Sequence, residues 1–217
     1  MRQNKNKKQK FYFSKIELIH LLSAALAISF AFEFVIFREE IFSQFSLALF
    51  GKLFLDTLAI VTTAFVLHEL GHKFVAQKYG LWAEFRAWPL GLILAVALAL
   101  VTRGGFVFAA PGAVLIVPAK KTPHGFVLKK LTKSQIGHIG IIGILINICL
   151  ATLFLVLTLL FGSNLTALAS QVNAWLAIFN LLPLSVLDGA KVWYWSKPAW
   201  LAAMLASASL FFLILLI

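Results

Sequence analysis

Phe65-Val66-Leu67-His68-Glu69-Leu70-Gly71-His72-Lys73 is the stretch on which the reading of this chain turns. It lies toward the C-terminal end of an apolar segment, Leu53 to Val75, that otherwise reads as a membrane-spanning helix. Residues four apart on a helix sit one turn above each other, so the two imidazoles of His68 and His72 can bind one zinc ion. Glu69 points to the same side. This is the HExxH pattern, whose glutamate serves as general base toward a zinc-bound water. Ionisable groups at membrane depth are expensive and mark a pathway or a site, which favours a metal centre over a chance match.

Composition sets the surroundings of that stretch. Across 217 residues, 61% are hydrophobic, 12% are charged and the mean hydropathy is +0.94, which excludes a soluble globular domain and implies a polytopic membrane protein. The net charge of +11 would suggest nucleic acid in a soluble chain, yet six of the 19 basic residues fall within the first fifteen positions. They read instead as a cytoplasmic topology signal beside anionic lipid headgroups, and no nucleic-acid partner is expected. Cys149, alone of its kind, excludes an intramolecular disulfide and reads as small apolar filler. No cleavable signal peptide is expected, because the first apolar stretch is long enough to span and lacks a small-residue cleavage pattern.

The expected architecture is an all-α membrane protein of about six transmembrane helices with a short re-entrant β-hairpin. A basic cytoplasmic tail, residues 1–15, precedes a single membrane domain, 16–217. Spans are expected at about 16–37, 53–76, 135–161, 165–182 and 199–217, and the apolar run 88–101 is either a short span or a re-entrant segment. Within the first span, His20 and Glu33 read as packing or snorkelling residues. Between Gly104 and Pro118 two β-prone runs flank Pro111-Gly112, a pair suited to a type II turn, so a hairpin or a tight loop is expected. A strand edge there would suit an extended peptide. Lys73, Lys78 and Arg86, then Lys120, Lys121, Lys129, Lys130 and Lys133, then Lys191 and Lys197 fall on the cytoplasmic side if the N-terminus does. The metal site then lies nearer the cytoplasmic face.

A catalytic zinc needs a third protein ligand and an open position for water. The acidic residues are Glu17, Glu33, Glu39, Glu40, Asp56, Glu69, Glu84 and Asp188. Only Asp188 combines a broken apolar helix (Pro183), an adjacent glycine (Gly189) and the correct side of the membrane, although capping a helix or pairing with Lys191 would also account for it. In 135–161, Gly137, Gly140 and Gly143 permit close helix approach, with Asn147 on the same face as Gly143.

The chain resembles the site-2 proteases, intramembrane zinc metalloproteases, over about residues 53–190, and is similar to small prokaryotic forms without a PDZ domain. The resemblance rests on His68-Glu69-x-x-His72, on Gly143-x-x-x-Asn147 and on Asn180-x-x-Pro183-x-x-x-Leu187-Asp188-Gly189. It implies His68, His72 and Asp188 as ligands of one zinc ion and Glu69 as catalytic base. Asn180 and Asn147 would polarise substrate or steady the tetrahedral intermediate. Ile144 stands where many members have proline, which bears on the bend of that helix rather than on metal chemistry. The expected activity is hydrolysis of peptide bonds in or near transmembrane helices of a membrane-protein substrate. An inactive metal-binding protein that gates or chaperones partners would have no need of Glu69, and a transporter would spread its ionisable groups through both leaflets.

Overall fold

The computed structural model describes residues 13–43, 46–108, 110–117, 119–122, 125–128 and 130–217. The basic tail through residue 12, Lys129 of the cationic loop, and Ala109 and Pro118 of the expected hairpin lie outside the described residues.

Helix boundaries follow from local chemistry. Ser14 accepts the Glu17 N–H at 3.0 Å and so caps α1 (Lys15–Ile36), which is followed by the short α2 (Arg38–Ser43). Ser46 precedes α3 (Leu47–Lys78), the long helix that carries the HExxH stretch. A capping box between Thr132 and Gln135 opens α5 (Lys133–Phe161). Beyond it come α6 (Asn164–Leu181), α7 (Asp188–Trp195) and α8 (Lys197–Leu215). At 1.5 Å per residue, the 22 residues of α1 cover about 33 Å, close to the thickness of a bilayer's hydrocarbon core.

Among the described residues four helices, α1, α3, α5 and α8, are long and apolar enough to cross a membrane, where the sequence suggests six. The other two fall short for separate reasons. α4 (Pro89–Val101) has only 13 residues. α6 has 18, but Asn164, Gln171, Asn173 and Asn180 lower its hydropathy, and the Ser170 hydroxyl and Asn173 amide are fully buried against protein. Leu201, Leu205 and Phe212 on α8 and Leu18, Ile19 and Leu22 on α1 remain exposed, as side chains facing lipid would.

Strands are present, so the fold is not purely helical, and the pairing differs from the expected local hairpin. Strand β2 (Gly112–Val117) runs antiparallel to β1 (Trp82–Ala87), with Phe85 opposite Val114 and Ala87 opposite Gly112. Helix α4 is the connection between them. The Trp88 N–H donates to the Pro111 carbonyl at 2.7 Å, so Pro111-Gly112 sits at a strand entry rather than at the tip of a turn. Residues 106–108 form no strand. A separate antiparallel pair, β3 (Ala119–Thr122) and β4 (Gly125–Leu128), precedes α5.

The main core joins α1, α3, α4 and α6 through Ile28, Phe32, Val61, Phe65, Ala95, Ala99, Val172 and Leu176. A second cluster, including Ile144, Ala177, Leu181, Val192 and Ala203, ties α5 and α6 to α7 and α8. Lys73, one residue beyond His72 and 1% exposed, donates to Glu17 of α1 at 2.5 Å. The other oxygen of Glu17 accepts the Phe85 N–H at 3.0 Å. One carboxylate thus ties α1 to the HExxH helix and to the sheet.

Candidate metal centre

The C-terminal part of α3 presents His68, Glu69 and His72 toward α5 and α7, and all three are buried. Opposite them α5 carries Gly143. A Cβ at that position would lie 2.5 Å from His72 Nε2 and 2.7 Å from His68 Nε2, so only glycine leaves the two nitrogens uncovered. Asp188 reaches the site because α6 ends before Pro183 and the chain turns into α7. Gly189 lets that turn pass against the Leu181 carbonyl, where any side chain would collide.

The three potential ligands converge. His72 Nε2 lies 3.0 Å from His68 Nε2, and Asp188 Oδ2 lies 2.8 Å from His72 Nε2 and 3.2 Å from His68 Nε2. Ligands about 2.0–2.1 Å from a tetrahedral zinc are about 3.3 Å apart, so the cluster is within a few tenths of an ångström of a zinc-binding arrangement. The outer nitrogens complete the fit. His68 Nδ1 donates to Asn147 Oδ1 at 2.6 Å, and His72 Nδ1 donates to the Ile139 carbonyl at 2.6 Å. This tautomer turns both Nε2 lone pairs toward the carboxylate oxygen, and three electron-rich atoms at such distances call for a cation among them.

Asp188 divides its oxygens. Oδ2 faces the imidazoles, and Oδ1 accepts from Lys191 Nζ at 2.8 Å. Burial works to raise the pKa of this carboxyl, and the Lys191 ammonium at Oδ1 works to lower it. Glu69 is not drawn into the cluster's hydrogen bonds through Oε2, which is buried and has no hydrogen-bond partner among the described residues.

These groups line a cleft with about 690 Å³ of empty space, its open mouth included. Gly112, Ala113, Val114 and Ile116 of β2 form one side, and Asn180 and Leu187 belong to another. Asn180 is half-buried and donates to the Leu176 carbonyl at 3.0 Å. Asn147 is differently placed from the substrate-polarising position expected of it. Its amide nitrogen donates to the Ala64 carbonyl at 3.2 Å and to Asn173 Oδ1 at 2.9 Å, so its N–H groups are spent within the protein.

No family model and no solved structure matches the chain. A protein of Methanocaldococcus jannaschii named "Putative zinc metalloprotease" is 39% identical over 195 residues, covering 88% of this chain and 90% of the relative. The chain belongs to that zinc metalloprotease family.

In this metalloprotease Asn173 and Lys191 also shape the centre. Asn173 holds Asn147, and through it the His68 ring, but an asparagine inside an apolar helix has no pattern of its own. From sequence Lys191 reads as a topology charge or as a partner of Asp188 in place of a metal. It binds Asp188 while Asp188 also faces the imidazoles. The i, i+3 spacing of Asp188 and Lys191 at a helix start was the available signal.

Proposed function

We propose that the protein is a site-2 protease-type intramembrane metalloprotease that hydrolyses peptide bonds in or beside the transmembrane segments of membrane proteins. The observation that carries this reading is the convergence of His68, His72 and Asp188 on one point beside the unpartnered Glu69 Oε2, at the end of a membrane-length helix. His68, His72 and Asp188 would hold one zinc ion. When bound there, zinc supplies Lewis-acid activation of water and of the scissile carbonyl.

The chain's own residues account for the remaining work. Glu69 accepts the proton of the attacking water and returns it to the departing amide nitrogen. Asn180, on the wall of the cleft, can rotate its amide toward the developing oxyanion, an interaction worth up to about 3–4 kcal/mol. Asn147 orients His68 instead of touching substrate. The strand β2 offers backbone groups along the cleft for an unwound, extended segment, so that the scissile carbonyl is released from helical hydrogen bonding before attack. With the N-terminus cytoplasmic, the site opens toward the cytoplasmic leaflet, from which water enters.

An inactive metal-binding protein has no use for a buried carboxylate oxygen that is neither a ligand nor hydrogen-bonded. Glu69→Gln separates the two. The variant should bind one zinc per chain with the affinity of the parent and lose cleavage of a membrane-embedded reporter by at least about 100-fold. Undiminished cleavage by Glu69→Gln removes Glu69 from the mechanism.

A further inference from the structure

Among the described residues Asp188 is the one carboxylate in the ligand cluster, and the way it ligates decides how many positions remain for water and substrate. A carboxylate whose second oxygen is free can swing to bind a metal through both, adding a ligand and filling a position the reaction requires. Here the second oxygen is not free. Lys191 Nζ lies 2.8 Å from Oδ1, while Oδ2 lies 2.8 and 3.2 Å from the two imidazole nitrogens.

The lysine is itself held in place. It follows Asp188 by one turn of α7, and its stem packs over Gly140 of α5, where a Cβ would come within 2.8 Å of Lys191 Cβ. Gly140 also lies one turn from Gly143, which faces the imidazoles, so the same glycine-bearing face of α5 seats the lysine and leaves room for the ion. The side chain remains 41% exposed along the cleft, so the stem rests on α5 while part of the side chain still faces the cleft.

We propose that Lys191 is a positioning residue that restricts Asp188 to one-oxygen ligation and so keeps the metal's reactive position open. This rests on the metal-centre reading given above. Lys191 acts by occupying Oδ1 with a charged N–H donor. Arginine, which offers a charged donor on a longer stem, preserves the function, whereas methionine, similar in length and without a donor, abolishes it.

The test uses the full-length protein in detergent, loaded with cobalt(II) as an optically active substitute for zinc. Wild type, Lys191→Met and Lys191→Arg are compared by d–d absorption, whose intensity falls as a fifth ligand joins a tetrahedral set. Metal affinity is followed in parallel by chelator competition. Lys191→Met should show the weaker spectrum of higher coordination and about 10- to 100-fold lower affinity, with Lys191→Arg returning both toward wild type. Apo-protein melting temperatures that agree among the three show that folding is not the cause. A methionine variant with the wild-type cobalt spectrum overturns the proposal, whether or not its affinity falls. If wild type itself takes up no stoichiometric cobalt or zinc, the metal-centre reading fails, and the role of Lys191 goes with it.

Discussion

Gly143→Ala adds a single methyl group at the point where α5 faces the two imidazoles. The added carbon would lie 2.5 Å from His72 Nε2 and 2.7 Å from His68 Cε1 and Nε2, against a comfortable separation of about 3.5 Å. The overlap is about 1 Å with atoms of both rings, and the rings cannot simply turn away. Each is anchored through Nδ1, to Asn147 Oδ1 and to the Ile139 carbonyl, at 2.6 Å. Alanine gains about 1 kcal/mol over glycine in helix propensity, while overpacking costs about 1–3 kcal/mol. The folded state should therefore lose no more than about 2 kcal/mol, whereas the donor atoms become covered. Metal affinity should fall by more than the roughly 10- to 100-fold typical of a lost outer-shell partner. Elemental analysis and cobalt titration of detergent-purified protein measure the second effect, and thermal unfolding of the apo protein measures the first. Gly51→Ala in α3, where an added Cβ meets nothing within 4 Å, is the control and should gain about 0.5–1 kcal/mol with unchanged metal binding. Wild-type metal affinity in Gly143→Ala would refute the geometry.

Two further outcomes follow from the surroundings of the cluster. Asn147→Ala frees His68 Nδ1 and leaves Asn173 Oδ1 without its donor; metal affinity should fall about 10- to 100-fold, read by chelator competition, with the apo protein still folded. Lys73→Met leaves Glu17 buried without its cation and should cost about 3–5 kcal/mol in detergent unfolding, while adding Glu17→Leu should recover much of that loss because no lone charge then remains. A double variant as unstable as the single would mean that the pair contributes through something other than charge compensation.

Local patterns carried the reading where neighbours in space are also neighbours in sequence. His68, Glu69 and His72 are legible because a helical turn brings residues four apart together, and that same periodicity places Asn147 on the face of Gly143. Asp188 was reachable by elimination, since few acidic residues sit in an apolar chain beside a helix break. The sheet was not legible as paired. Trp82–Ala87 and Gly112–Val117 are joined by a helix, and no turn signal announces a partner so far along the chain. The six-span count is not confirmed for a related reason: α6 forms as a helix where the sequence places a span, but its polar residues, with Ser170 and Asn173 buried against protein, make it less apolar than the other long helices. Lys73 looked like a helix-end cation on the cytoplasmic side, yet it is buried against Glu17 of α1, 56 positions earlier. Charge alone does not reveal whether a lysine meets water or a carboxylate.

His68 and Asp188 are separated by 120 positions. A ribosome that has delivered the histidine pair has therefore not yet made the aspartate, and most of the bundle is inserted before the third donor exists. On the proposed reading, a half-made chain has the general base but an incomplete ligand set. On that reading the chain would gain its third donor only when α7, which begins at Asp188, has been made.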